Sequence, residues 1–268
     1  MICNIYSQEK ITGNHTISKL PPSIPAPKPF PGPLLRPRQL TLPMRIAFFG
    51  GTFDPPHFAH LGLARAAQQA LALDTVLFAP VAFQPLKPSG SSASFEDRVA
   101  MTRLAIANQP NFELSLADAP ASNNSNYTPD YTPNYTVDTL TRLRQSLPSE
   151  TDLYLLLGAD SLRTLPQWHR AQEIPFLASL IVASRPGEDL SNLAALLPSG
   201  IDIAIDPTAS NRYRLANANG RQSQLILLPD TNYNISATQL RDQMRNLSHP
   251  AFIPPAVLQY IYHHHLYE

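Results

Sequence analysis

Cysteine is nearly absent: Cys3 is the only one in 268 residues. No intrachain disulfide can form and zinc–thiolate sites are effectively excluded, which suits a reducing cytoplasm. Long apolar runs are missing as well. No stretch approaches the roughly 20 residues that a membrane helix needs, and the N-terminus lacks the apolar core of a secretory signal. Net charge is also missing, with 20 basic and 20 acidic residues. The balance is uneven, because residues 1–43 hold Lys10, Lys19, Lys28, Arg36 and Arg38 against Glu9 alone, leaving 15 basic and 19 acidic residues, a net of −4, in the remainder. A mildly acidic body gives no electrostatic reason to expect nucleic-acid binding.

Proline is plentiful, and nine of the 28 prolines fall in residues 1–43. PPSIPAPKPFPGP cannot enter a helix or a sheet interior, so 1–43 is expected to be a disordered, solvated extension. Met44 stands immediately before the first strand-like segment, and the expectation is that translation starts there and that 1–43 is a mis-called start. Residues 44–268 are then expected to form one catalytic domain.

From Arg45 onward, strand-like and helix-like segments alternate. Strands are expected at 45–49, 75–80, 111–116, 152–158, 179–184, 201–205 and 224–229. Helices are expected at 58–72, 95–108, 136–147, 160–165, 236–246 and 254–264. Strands written as continuous apolar runs between helices predict an α/β fold: a Rossmann-like doubly wound parallel sheet with helices on both faces. Ligands of such a sheet bind beyond the carboxyl ends of the strands. Two loops stand out, FQPLKPSGSSAS (83–94) and NNSNYTPDYTPNYT (123–136), the second carrying a short Tyr-Thr repeat.

The richest segment is IAFFGGTFDPPHFAH (46–60). Gly50 and Gly51 end a strand where the backbone could turn sharply and offer N–H groups to an anion; a plain strand-to-helix turn is the simpler reading, since no GK[ST] follows. His57 and His60, three apart, share one side of a first helical turn. They suit zinc, a phosphate or an ordinary surface, although no third ligand accompanies them. In NISATQLRDQMR (234–245), Ser236 reads as a helix N-cap with Gln239 as its capping-box partner. That helix start is an anion site to which Arg241 adds charge. In GADSLRTLPQWH (158–169), Asp160 suits a ribose diol or an N-cap, and Trp168 suits a stacked ring or core packing. Lys87 lies in the first loop, within reach of a phosphate. His263, His264 and His265 cannot share one helix face and read as surface or packing residues.

Taken in order, GGTFDPPHFAH (50–60), PLKP (85–88), FEDRVAMTRLAI (95–106), YTVDTL (135–140), LLGADSLRTLPQWH (156–169), SRPG (184–187) and ISATQLR (235–241) resemble the bacterial nicotinate-nucleotide adenylyltransferases of the HxGH nucleotidyltransferase superfamily. The resemblance spans residues 45 to about 266. It implies transfer of an adenylyl group from ATP to nicotinate mononucleotide, giving nicotinate adenine dinucleotide and pyrophosphate in NAD biosynthesis. It also implies site roles. His57 and His60 would be catalytic, on the ATP phosphates. Gly50, Gly51, Thr52 and Phe53 would line the phosphate-facing turn. Gly158 and Asp160 would meet the adenosine ribose, and Ser236, Thr238 and Arg241 the β- and γ-phosphates. Trp168 would stack on the pyridine ring, with Thr136 and the backbone at Val137 and His169 receiving the nicotinate carboxylate and Lys87 serving the acceptor. Mg²⁺ would arrive with ATP, and no protein metal site is expected. ATP and nicotinate mononucleotide are the implied partners of a cytoplasmic enzyme that binds neither nucleic acid nor membrane; a homo-oligomer is compatible with the sequence.

Two residues depart from the family pattern. Ala59 replaces the glycine of the signature, where a methyl would narrow the phosphate site, and Ala237 replaces a serine. An adenylyltransferase acting on nicotinamide mononucleotide or phosphopantetheine is the nearest alternative, and a non-catalytic nucleotide-binding protein a more distant one.

Overall fold

A computed structural model describes residues 43–86, 90–120, 133–183, 190, 192–229, 235–246 and 250–268. The proline-rich extension up to residue 42, Lys87, most of the Tyr-Thr repeat and SRPG lie outside the described residues.

Eight strands form one sheet: β1 (Arg45–Gly51), β2 (Thr75–Pro80), β3 (Phe112–Leu114), β4 (Asp152–Gly158), β5 (Ser179–Ala183), β6 (Ile201–Ile205), β7 (Arg212–Asn217) and β8 (Gln222–Leu228). The helices are α1 (Phe58–Leu71), α2 (Phe95–Ile106), α3 (Thr136–Ser146), α4 (Ala159–Thr164), α5 (Ile174–Leu177), α6 (Leu193–Leu196), α7 (Ala237–Arg245) and α8 (Pro255–His263). Strand order is β3-β2-β1-β4-β5-β8-β7-β6. The strands from β3 to β8 in that order are mutually parallel, and β7 and β6 continue the edge antiparallel.

Side chains alternate across a strand, and that alternation divides the core in two. Ala47 and Phe49 of β1, Val76 and Phe78 of β2, Leu156, Ile181 and Ile226 face a cluster completed by α1, α2, α7 and α8. Ile46 and Phe48, with Leu153, Leu155, Leu157, Leu180 and Val182, face a second cluster completed by α3, α4 and α5. Helices therefore cover both faces of the sheet, as the sequence predicts.

One strand escapes the sequence reading. RYRLAN (β7) forms a hairpin with β8 through a turn in which Gly220 has φ 74°. Only Leu215 of this strand is fully buried, so it carries no apolar run. The expected parallel sheet holds from β3 to β8 in the strand order, and the hairpin adds an antiparallel edge to it.

The ladders also create an opening. β1 pairs with β2 as far as Gly51↔Pro80, and β4 with β5 as far as Gly158↔Ala183. Between β1 and β4 the pairing ends earlier, at Phe48↔Leu155. The last three residues of each strand thus part from one another where chain order reverses about the sheet. Open α/β sheets bind ligands in such a crevice.

Candidate active site

The loops beyond the carboxyl ends of β1, β4 and β8, and the start of α3, carry the residues singled out by sequence. Gly51 leads into TFDPPH, and His57 is the N-cap of α1 with an extended backbone (φ −144°, ψ 171°). His57 is 2% exposed, so it is no ordinary surface histidine. Its ring stacks on that of His60 with centroids 3.7 Å apart and planes at 28°. The His57 N–H donates to His60 Nδ1 at 3.2 Å. A ring nitrogen that accepts carries no proton, so the neutral His60 ring carries its proton on Nε2. The edge of the Phe53 ring meets His60 at 5.0 Å and holds its orientation. At the same helix start the Phe58 N–H donates to the Phe252 carbonyl at 2.8 Å, so this amide is already engaged.

Three expectations about the turn change. Gly50 and Gly51 do not make it: both still belong to β1, and the positive φ falls on Phe53 at 50°. A Cβ on Gly50 would meet the Phe48 ring at 3.1 Å, and one on Gly51 the Phe53 ring at 3.2 Å. Close packing is the reason for glycine there. Phe53 is 2% exposed and packs on Phe49 and Phe78, so only its backbone can face a phosphate. Ala59 is buried in the core cluster with Phe49 and Phe53, so its methyl is taken up by packing rather than narrowing the phosphate site.

Thr52 Oγ1 donates to Gln84 Oε1 at 2.8 Å, tying the turn to the loop after β2. That loop is tied in turn to the approach to α3, with the Phe83 N–H on Asn134 Oδ1 at 3.0 Å and the Asn134 N–H on the Phe83 carbonyl at 3.2 Å. Thr136 is the first residue of α3 and Val137 the second. Tyr135 packs on His169 with ring centroids 4.3 Å apart, bringing the start of α3 beside the LPQWH segment. Trp168 is partly buried and its Nε1–H donates to Thr164 Oγ1 at 3.2 Å, which sets the ring plane. Gly158 is the N-cap of α4, with no atom within 4 Å of a Cβ built on it, and Asp160 is exposed.

The start of α7 is built as predicted. The Gln239 N–H donates to Ser236 Oγ at 3.2 Å, and Gln239 Oε1 accepts from the Ser236 N–H at 2.9 Å. Arg241 Nη1 donates to the Asp54 carbonyl at 2.7 Å and Nη2 to Thr238 Oγ1 at 3.3 Å. The start of α7 is thereby brought against the turn that carries the histidines.

Sequence reading missed the residues that hold this arrangement. Asp54 is buried; its Oδ1 accepts from the Ala93 N–H at 3.1 Å and the Tyr267 hydroxyl at 2.7 Å, and its Oδ2 from the Ser92 N–H at 2.7 Å. Those bonds occupy both oxygens of the carboxylate. Arg98 is 1% exposed and donates to the carbonyls of Thr52 and Val81 (both 2.8 Å), Ala93 (3.3 Å) and Ala82 (3.4 Å). Burial lowers its pKa, opposed by the charge of Asp54. A basic residue in the first turn of a helix opposes the dipole, and that was the available signal. Asp118 is also buried, and a Cβ on Gly50 would lie 3.7 Å from its Oδ2. Thr139 Oγ1 donates to its Oδ1. Burial raises the Asp118 pKa against the opposing effects of Thr139 and Arg142. Nothing in the local sequence marks Tyr267.

Among the described residues no helix is long and apolar enough to cross a membrane. The cytidylyltransferase-like family profile matches residues 48–243. The chain is 37% identical over 226 residues to the probable nicotinate-nucleotide adenylyltransferase of Trichlorobacter lovleyi, covering 84% of this chain and 100% of that protein. It is 35% identical over 224 residues to that of Herpetosiphon aurantiacus, covering 83% and 98%. Among solved structures, Plasmodium falciparum nicotinic acid mononucleotide adenylyltransferase in complex with NaAD superposes with a TM-score of 0.59 at 16% identity, covering 84% of this chain and 97% of that one, which bears on the fold alone. The chain belongs to the cytidylyltransferase-like family and, within it, to the nicotinate-nucleotide adenylyltransferases, a group of nucleotidyltransferases.

Proposed function

We propose that residues 44–268 form a catalytic domain that joins nicotinate mononucleotide and ATP, and that the chain works in the cytoplasm, where both substrates are available. An oxygen of the mononucleotide phosphate attacks the α-phosphorus of ATP, the bond from that phosphorus to the α–β bridging oxygen breaks, and pyrophosphate leaves as nicotinate adenine dinucleotide forms. No protein nucleophile takes part, so catalysis is positioning plus charge stabilisation. The observation that carries this reading is the Arg241–Asp54 contact at 2.7 Å, which ties α7 to the turn leading into the stacked histidines.

His60 Nε2–H and His57 bind phosphate oxygens and stabilise the charge that grows on them. Backbone at Gly50, Gly51, Thr52 and Phe53 lines the same wall. Ser236, Thr238 and Arg241 hold the β- and γ-phosphates of Mg²⁺-ATP, the metal being part of the substrate. Gly158, which leaves open space, and the exposed Asp160 receive the ribose. Lys87 serves the acceptor phosphate.

Trp168 stacks on the pyridine ring, and Thr136 with the N–H groups of Val137 and His169 meets its carboxylate. The first N–H groups of a helix have no intrahelical acceptor, which makes this end of α3 a place for an acceptor-only group. A carboxylate satisfies such donors with both oxygens, whereas an amide turns its NH₂ against one of them. Pyrophosphate release with nicotinate and nicotinamide mononucleotides side by side tests the assignment. The expected result is a kcat/KM preference for nicotinate of about 10²-fold or more, the scale of an unpaired polar contact in a binding site. A preference for nicotinamide, or turnover of neither, overturns it.

A further inference from the structure

The penultimate residue of the chain reaches the centre of the phosphate-facing turn. α8 ends with the His264 N–H on the Tyr260 carbonyl (3.0 Å), and the Leu266 N–H then returns to the Ile261 carbonyl at 3.1 Å. His265 and Tyr267 adopt φ of 51° and 70°. Positive φ is rare for a bulky residue and persists only where the surroundings enforce it. Here the surroundings do so: Tyr267 is 9% exposed and belongs to the core cluster with Phe49 and Phe53. Its hydroxyl donates to Asp54 Oδ1 at 2.7 Å and lies 4.0 Å from Met101 Sδ.

Asp54 immediately follows the positive-φ Phe53 and stands three residues before His57. Its carboxylate ties down the amides of Ser92 and Ala93, and its own carbonyl accepts from Arg241. The Arg241 guanidinium also lies 3.9 Å from Asp54 Oδ2. One chain of contacts thus runs from the C-terminus through Asp54 to Arg241. We propose that Tyr267 is a positioning residue for the nucleotide phosphates: its hydroxyl fixes the Asp54 carboxylate, and Asp54 in turn holds the histidine turn and Arg241 in place. The proposal rests on the reading of Arg241 as a phosphate-binding side chain. Burial and the charge of Asp54 push the phenol pKa well up, so the hydroxyl keeps the proton it donates.

Tyr260 supplies the control. It lies on α8, just before the segment that carries Tyr267, and its hydroxyl donates to another carboxylate, Asp97 Oδ1, at 3.0 Å. The test compares wild type, Tyr267→Phe and Tyr260→Phe by steady-state kinetics, by thermal unfolding, and by calorimetric titration with Mg²⁺-ATP in the absence of acceptor. Tyr267→Phe is expected to raise KM for ATP and the Kd of Mg²⁺-ATP about tenfold, the scale of a hydrogen bond to a charged group, with KM for nicotinate mononucleotide within about twofold of wild type. Tyr260→Phe is expected to lower Tm while leaving both ATP constants unchanged. If Tyr267→Phe behaves like Tyr260→Phe, Tyr267 is only structural and the proposal is overturned. Should Tyr267→Phe fail to fold, Asp54→Asn interrupts the same link from its other end, and unaltered ATP constants in that variant would overturn the proposal equally. Because the titration needs no acceptor, a wrong acceptor assignment shows as missing wild-type turnover, separately from the Tyr267 result. Wild type that binds no Mg²⁺-ATP sinks both.

Discussion

The His57 amide donates to His60 Nδ1 while the two imidazoles lie stacked 3.7 Å apart. His60 therefore caps α1 through Nδ1, and in the proposed mechanism its Nε2–H is offered to a phosphate. His60→Ala should reduce kcat about 10²–10³-fold, as loss of one transition-state donor does. It should also cost about 1 kcal/mol of stability for the lost cap. His57→Ala, which empties a buried position, should unfold at a lower temperature than His60→Ala. Turnover numbers and melting curves of both variants check this; a His60→Ala enzyme of wild-type kcat would remove the histidine from the mechanism.

The glycines make a contrasting pair. Gly51→Ala forces a methyl against the Phe53 ring at 3.2 Å, and overpacking of this kind costs about 1–3 kcal/mol. Both Tm and activity should fall. Around Gly158 the space is open, and its φ of −78° suits any residue. Gly158→Ala should melt within about 0.5 kcal/mol of wild type, as substitutions away from packed features do, yet raise KM for ATP if the ribose lies there. A Gly158→Ala variant with unchanged KM would move the ribose elsewhere.

At the start of α7, the cap and the ligand contact can be separated. Ser236→Ala and Gln239→Ala each break the capping box, at a cost of about 1 kcal/mol. Only Ser236 is assigned to the phosphates. Equal losses of Tm, with a rise in KM for ATP confined to Ser236→Ala, are expected from parallel melting and kinetic series. Equal KM values in the two variants would reduce Ser236 to a cap.

Asp118 makes stability depend on pH with a definite sign. Burial raises its pKa from the usual 3.8, so above that value the folded state holds a proton that the unfolded state has lost. Its contribution is most favourable below pH 4 and is lost as pH rises through the folded-state value. Asp118→Asn keeps an acceptor for Thr139 and removes the charge. Its Tm relative to wild type should rise between acidic and neutral pH, as pH-dependent melting of the two proteins would reveal. A constant difference across that range would mean that Asp118 is not the titrating group.

Much of the fold was legible because apolar runs such as TVLFAP and DLYLLLG can only be strands buried on both faces, and 75–80 and 152–158 match β2 and β4 to the residue. RYRLAN was not legible, since a strand with one buried side chain has no run to show; Asn219-Gly220 between the two strands was the remaining turn signal. In the site, Ser236 and Gln239 could be read from their spacing because capping is a local interaction. The role of Phe53 could not, because its ring is directed by the packing of Phe49 and Phe78 from other parts of the sheet.

By itself the sequence determined the family, the alternation of strands and helices, and which side chains are candidates for binding a nucleotide, since each depends on residue type and short-range order. Tertiary structure alone decided which of those groups are held, and by what. The early parting of β1 from β4 opens the crevice, Arg98 ties the loop after β1 to the loop after β2 through their carbonyls, and the Tyr267 hydroxyl reaches Asp54 across 213 residues of chain. A buried charge or hydroxyl must find partners wherever the fold brings them, and no local pattern records where that is.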